Sequence, residues 1–135
     1  MWERKKRAAP QKRIDSLIGA GTVVNGDVTF TGGLRIDGHV HGNVIAANGG
    51  PGTLVISEQA VVDGEIRVSH IVVNGTVNGP LYADDYLELQ PKAQVHGDLT
   101  YKVIEMHVGA RVEGRLTHAE PGTASVVELK RVISE

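Results

Sequence analysis

The chain has 135 residues, a formal net charge of −2 and 41% hydrophobic residues, which fits a single globular domain. It has no cysteine, which excludes disulfide frameworks and thiolate metal sites. No apolar run is long enough to span a bilayer, and no hydrophobic signal segment follows the basic start. We therefore expect a cytoplasmic protein.

Residues 1–15 form a basic tail, which we expect to be flexible. Residues 1–13 carry six Lys or Arg against Glu3, whereas the rest of the chain is acidic. One interpretation is a solvated tail. The other is a membrane-targeting segment, since basic residues near an anionic membrane contribute about 1 kcal/mol each and tryptophan favours the interface. The residues predicted to bind the membrane are Met1, Trp2, Arg4, Lys5, Lys6 and Arg7.

Binding through one such tail would be reversible, and a polymer that displays many tails would bind more firmly through avidity. Nucleic acid is not an expected partner, because Trp2 is the only aromatic residue of the tail that could stack on bases.

A five-residue pattern, apolar-x-Gly-x-apolar, occurs six times in the middle of the chain. The spacings between the successive central glycines are 16, 22, 15, 18 and 17 residues. A unit that recurs at this interval indicates a repeat architecture. The central glycines are Gly26, Gly42, Gly64, Gly79, Gly97 and Gly114.

Apolar residues alternate upstream of the glycine in each unit, as at Leu34 and Ile36 or Leu87 and Leu89. Alternation with a period of two indicates strands, here of roughly four to six residues. One unit cannot bury its apolar face, but stacked units can. The pattern therefore predicts a β-solenoid over residues 16–118, with six turns and a length of about 25–30 Å at the usual strand spacing.

The longest interval between glycines contains Ala47–Gly52, which we interpret as a loop insertion at one corner. In every unit the residue four positions before the central glycine is small. Two units are shorter by two residues, and in these units Gly38 and Gly75 occupy that position. After His118 the pattern stops. Residues 119–135 form a C-terminal tail in which Ser125–Glu128 resembles a helix capping box. A helix there would be too short to persist alone, so the segment is a cap, a docking helix or a frayed tail.

The sequence predicts no catalytic, cofactor or metal site. His39 and His41 share one strand face with Asp37, but a surface-polar role is more plausible than a zinc site, which needs three or four converging ligands. No serine lies in a nucleophile-elbow pattern. Gly19–Gly21 lacks the Lys-Ser/Thr of a phosphate-binding loop, so we do not expect nucleotide to drive any assembly.

The main enzyme alternative is a hexapeptide-repeat acyltransferase, which is a left-handed β-helix. Ile18, Val24, Phe30 and Ile36 do follow one another at intervals of six. However, such coils need turns of 18 residues, and the intervals of 16, 15 and 17 break that arithmetic. A passive binding module with an acidic outer face is a third class, and it predicts a stable monomer.

The two ends of a solenoid expose unpaired backbone groups and open core unless polar caps cover them. The tail before the first turn is polar, and the last turn can be covered only by the Val126–Ile133 segment. We therefore predict self-assembly through both end turns. The predicted polymerisation interface comprises Ile18 and Val24 at the first turn and Met106, Val108, Val112 and Leu116 at the last.

The six repeats and the segment L-x-I-D-G-x-V-x-G at residues 34–42 closely resemble the bactofilins, which are bacterial cytoskeletal proteins. The resemblance covers roughly residues 16–118. It implies a right-handed parallel β-helix of about six turns that polymerises end to end without nucleotide. It also implies a scaffold, often at the inner face of the membrane, for cell-shape and cell-wall enzymes, and the tail from Met1 to Arg7 occupies the place of the family's membrane-targeting segment.

Overall fold

The protein is described by a computed structural model that covers residues 14–119. This part of the chain contains sixteen β-strands and no α-helix. All pairs of strands are parallel, and they form one sheet of ten strands and one of six. The predicted all-β solenoid of about six coils is confirmed. The handedness of the coils stays a prediction from the resemblance.

Each coil passes through three strand positions, which we call faces 1, 2 and 3. Face 2 is the six-stranded sheet, and the ten-stranded sheet supplies the other two faces. Face 1 consists of β1 (Ser16–Ile18), β4 (Gly32–Ile36), β7 (Gly52–Ile56), the second halves of β9 (Ile66–Val73) and β11 (Leu81–Leu89), and β14 (Ile104–Met106). Face 2 consists of β2 (Val23–Asn25), β5 (His39–His41), β8 (Val61–Asp63), β10 (Thr76–Asn78), β12 (Gln94–His96) and β15 (Arg111–Glu113). Face 3 consists of β3 (Val28–Phe30), β6 (Val44–Ala46), the first halves of β9 and β11, β13 (Leu99–Tyr101) and β16 (Leu116–His118).

The glycine spacing predicts the register of face 2 correctly. Val24 pairs with Val40 and Val40 pairs with Val62, so that each central glycine follows its strand at the same height in the coil. The same ladder continues through the last three coils. The uneven intervals are therefore differences in corner length, and the stacking of the strands is regular.

The inward residues of the three faces form one continuous core along the axis. Ile36, Leu54, Val62 and Leu81 are completely buried, as are most apolar residues in the middle coils. These are the positions at which alternation places apolar side chains on one side of a strand. Burial of this spine is the main source of stability, because each coil covers the next.

The corners between faces 1 and 2 are of two kinds. In four coils a turn closes with a backbone hydrogen bond across three residues, for example from Ala93 N to Gln90 O at 2.9 Å. The two shorter coils lack this turn and use Gly38 and Gly75. A Cβ on Gly75 would lie 2.2 Å from the carbonyl oxygen of Ser57, so the tight corner has room only for glycine.

The predicted insertion lies between face 3 of the second coil and face 1 of the third coil. It forms a 3-10 turn at Ala47–Gly49, in which Asn48 and Gly49 take left-handed φ values of 57° and 65°. The chain then enters β7 at Gly52. The neighbouring coil stabilises this entry, because the buried Ser69 hydroxyl accepts a hydrogen bond from Gly52 N at 2.9 Å and donates one to Gly52 O at 2.8 Å.

The predicted strand length of four to six residues is wrong for most strands. Most of them have three residues, because the chain turns a corner after every short segment. β9 and β11 are longer, with eight and nine residues, because each continues as one strand through the corner between faces 3 and 1. The pairing of β9 with β11 shifts at that corner, between Ala83 and Tyr86.

Candidate assembly surfaces at the two ends of the solenoid

Within residues 14–119, the first and last coils present strands that are paired on one side only. β1, β2 and β3 each pair with the second coil alone. β14, β15 and β16 each pair only with the coil before them. Unpaired strand edges carry free N–H and C=O groups that favour pairing with another chain.

The C-terminal end surface, which we define as Val103, Met106, Val112 and Leu116, exposes the end of the core. Met106 occupies the same position as Leu89 one coil earlier, yet it is 47% exposed while Leu89 is fully buried. Leu116 is 42% exposed, in contrast to the fully buried Leu99 with which it pairs. Val112 is half-buried and packs against the core.

The N-terminal end surface, which we define as Leu17, Ile18, Val23 and Val24, has the same origin. Ile18 and Val24 are half-buried, whereas their counterparts in the second coil, Ile36 and Val40, are fully buried. These core positions are open because the described chain supplies no preceding coil to cover them.

Val108 lies in a different setting from the other predicted interface residues. It is 97% exposed at the tip of the turn that is closed by the hydrogen bond from Ala110 N to His107 O. It is thus on a corner of the last coil and outside the core columns. Its exposure does not by itself indicate an uncovered core.

Sequence reasoning missed four exposed apolar residues of the terminal coils. Leu17 is 60% and Val23 is 55% exposed, and both occupy strand positions that face outwards, where the next coil carries Arg35 and His39. Ile14 and Val103 are also exposed. All the large exposed hydrophobic residues in the described chain lie in the first or last coil. An apolar residue at an outward position of a terminal repeat was the signal that could have identified Leu17 and Val23.

The predicted membrane-binding residues Met1, Trp2, Arg4, Lys5, Lys6 and Arg7 lie outside the described residues, as does the predicted C-terminal helix. The described part of the chain contains no helix that is long and apolar enough to cross a membrane. The Gly19–Gly21 cluster lies in the first corner, where Thr22 N donates to Gly19 O.

His39 and His41 lie on one face of β5 as predicted, with ring centroids 4.0 Å apart. The carboxylate that meets them is that of Asp63 in the next coil, and Asp37 precedes β5. Asp37 instead accepts a hydrogen bond from Arg35 Nε at 2.8 Å. Hydrogen bonds from Arg35 and Ser57 lower the pKa of the Asp37 carboxyl.

The repeat and the solenoid agree with a comparison to known protein families. Residues 16–117 match the family model described as "Bactofilin: Polymer-forming cytoskeletal". The chain belongs to the bactofilin family. The resemblance inferred from the repeats is therefore confirmed, and the matched range coincides with the predicted solenoid to within one residue.

Two curated bactofilins of Myxococcus xanthus are similar to this chain. Bactofilin BacO is 26% identical over 102 residues, which cover 76% of this chain and 78% of BacO. Bactofilin BacP is 25% identical over 124 residues, which cover 90% of this chain and 50% of BacP. The chain thus spans about half the length of BacP. No solved structure gives a significant match.

Proposed function

We propose that this bactofilin is a cytoskeletal scaffold that assembles end to end into filaments through its N-terminal and C-terminal end surfaces. The observation that carries the proposal is the concentration of exposed apolar residues and one-sided strands in the two terminal coils. Stacking a second molecule on either end would continue both the hydrogen-bond ladder and the core. The polymer-forming character of the family supports this interpretation.

The assembly needs no nucleotide in this proposal. The driving force is the burial of apolar end residues and the pairing of strand edges, and both are available without a bound ligand. The chain acts as a structural protein and not as an enzyme. The hexapeptide acyltransferase alternative finds no support in the register, since successive strands of face 2 are not separated by a constant 18 residues.

Filament formation can be tested by placing a charge in the C-terminal end surface. Leu116→Arg should give short oligomers or monomers, because a desolvated guanidinium would oppose stacking of the next molecule. The sizes of the assemblies are measured by negative-stain electron microscopy and analytical ultracentrifugation without nucleotide. Val72→Arg is the matched control, since Val72 lies in the middle of the solenoid at the outward position where β4 carries Arg35. Filaments of Leu116→Arg as long as those of the wild type would refute the proposal.

We further propose that the basic tail attaches these filaments to the inner face of the cytoplasmic membrane. The support is the cluster of Trp2 with Arg4–Arg7 and the avidity of a polymer that displays many tails. The clients would be cell-wall synthesis or hydrolysis enzymes, or other membrane proteins that determine cell shape. This part of the proposal rests on the resemblance to the family.

The tail can be tested separately from assembly. Deletion of residues 2–7 should abolish co-sedimentation with anionic liposomes and leave filaments intact by electron microscopy. High salt should weaken wild-type binding, because screening reduces the attraction of exposed charges. Co-sedimentation of the deletion variant at the wild-type level would exclude the tail as the membrane anchor.

A further inference from the structure

Three side chains on the outer side of face 2 converge at the junction of the second and third coils. His39 Nε2 lies 2.8 Å from Asp63 Oδ2, and His41 Nδ1 lies 3.1 Å from the same oxygen. All three donor atoms lie within 4.8 Å of one another. The register produces this cluster, because β5 pairs with β8 so that His41 is directly beside Asp63 and His39 is two residues away on the same side.

The carboxylate of this cluster is held in place from the fourth coil. Asp63 Oδ1 accepts a hydrogen bond from Asn78 Nδ2 at 2.7 Å, which leaves Oδ2 directed at the two imidazoles. Hydrogen bonds from Asn78 and His39 lower the pKa of the Asp63 carboxyl. Asn78 therefore orients the Asp63 carboxylate by holding its Oδ1 atom, as the outer-shell residues of metal sites orient a metal ligand.

We propose that His39, His41 and Asp63 bind a divalent transition-metal ion of the zinc class. Two imidazole nitrogens and one carboxylate oxygen, without a thiolate, form a donor set that suits zinc and its neighbours and not magnesium or calcium. The three side chains are 37%, 46% and 36% exposed, so solvent can complete the coordination. Three protein ligands with one open position is a common arrangement for zinc.

The geometry requires only a small adjustment to accept an ion. Ligands at about 2.0–2.1 Å from a tetrahedral zinc lie roughly 3.3–3.5 Å apart. The separations of 2.8 Å and 3.1 Å from Asp63 Oδ2 are slightly shorter than this, so the side chains would have to move apart by a few tenths of an ångström. Each imidazole presents a different nitrogen, Nε2 for His39 and Nδ1 for His41, and both nitrogens serve as metal ligands in proteins.

A second cluster, Glu88, Glu105 and His107, is a weaker candidate. It supplies only one imidazole, whose Nε2 lies 2.9 Å from Glu88 and 3.4 Å from Glu105. Since imidazole is the better ligand for zinc-class ions, the first cluster is favoured and the second provides a matched control.

Zinc binding is measured by equilibrium dialysis of the full chain against zinc chloride, a method that does not depend on whether the protein is monomeric or polymeric. The wild type should bind one zinc ion per chain at the cluster, with no comparable uptake of magnesium. His41→Ala should weaken zinc binding at least tenfold, and His107→Ala should leave it unchanged. Zinc should also raise the melting temperature of the wild type and not that of His41→Ala, because an ion that binds only the folded state stabilises it.

Asn78→Ala tests the positioning role separately. It should weaken zinc binding by about tenfold with an unchanged circular dichroism spectrum, since loss of an outer-shell partner typically costs 10–100-fold in metal affinity. Absence of zinc binding by the wild type would overturn the proposal. Equal affinities of the wild type and His41→Ala, or loss of binding in His107→Ala alone, would also overturn it. None of these outcomes bears on filament formation, which is tested at the end surfaces.

Discussion

At the scale of single residues, five of the six repeated glycines serve close stacking of the coils, since a Cβ on any of these five would lie 2.1–2.4 Å from a backbone oxygen of the preceding coil. Three of the six, Gly26, Gly42 and Gly79, also have positive φ values. A Cβ on Gly64 would lie 2.2 Å from the carbonyl oxygen of Gly42, and one on Gly114 would lie 2.1 Å from that of Gly97. Neither glycine has a φ value in the left-handed region. The pattern apolar-x-Gly-x-apolar therefore marks the corner where the backbones of successive coils touch.

Gly64→Ala should lower the free energy of unfolding by about 3 kcal/mol, the upper end of the usual cost of overpacking. The clash is with backbone atoms, which cannot rotate away as a side chain can. Gly19→Ala is the matched control. A Cβ there would meet nothing within 4 Å, and the substitution should be neutral or slightly stabilising because it restricts the unfolded chain. Thermal unfolding followed by circular dichroism measures both. Equal melting temperatures for the two variants would contradict the stacking role.

The sequence predicts the core positions well, because apolar alternation in each repeat reports directly which side of a strand is buried. It predicts the histidine cluster poorly. The partner of His39 and His41 is 22 residues away from His41, and it becomes a neighbour only through the stacking of β8 on β5. The register of the glycines did contain the signal, since His41 and Asp63 both immediately precede a central glycine.

At the scale of elements, the corners absorb the differences between repeats and the strands stay in register. The insertion at Ala47–Gly52 is the largest of these differences, and it is tied to the next coil by the two hydrogen bonds of Ser69. The sequence does not predict the strand lengths, because they depend on whether the chain stays extended and paired through a corner, as it does in β9 and β11.

Ser69→Ala should destabilise the protein by about 1–3 kcal/mol, because it leaves both backbone groups of Gly52 without their buried partner. Thr76→Ala is the control, since Thr76 is a half-exposed residue of β10 in the same region of the solenoid. Urea unfolding monitored by circular dichroism gives the two free energies. A similar small decrease in the free energy of unfolding of both variants would show that the Ser69 hydrogen bonds contribute little to stability.

At the scale of the whole molecule, stability is expected to vary along the axis. Within residues 14–119, the strands of each coil pack mainly against those of the neighbouring coils, so the middle coils are covered on both sides and the terminal coils on one. Completely buried residues accordingly lie in the middle coils, whereas Met106 and Leu116, which continue the inward columns of Leu89 and Leu99, are exposed in the last coil. Local opening should therefore begin at the two ends and reach the centre last.

Hydrogen–deuterium exchange can show whether filament formation covers these ends. In the Leu116→Arg variant, backbone amides of β1–β3 and β14–β16 should exchange fastest and those of β8–β10 slowest. The reason is that, within residues 14–119, the terminal strands pair with one neighbouring coil and the middle strands with two. In wild-type filaments both terminal coils should gain protection, since a second molecule would supply the missing coil at each end. Val72→Arg filaments should match the wild type. If the terminal amides exchange equally fast in filaments and in the variant, the molecules must associate through the sides of the solenoid and not through its ends.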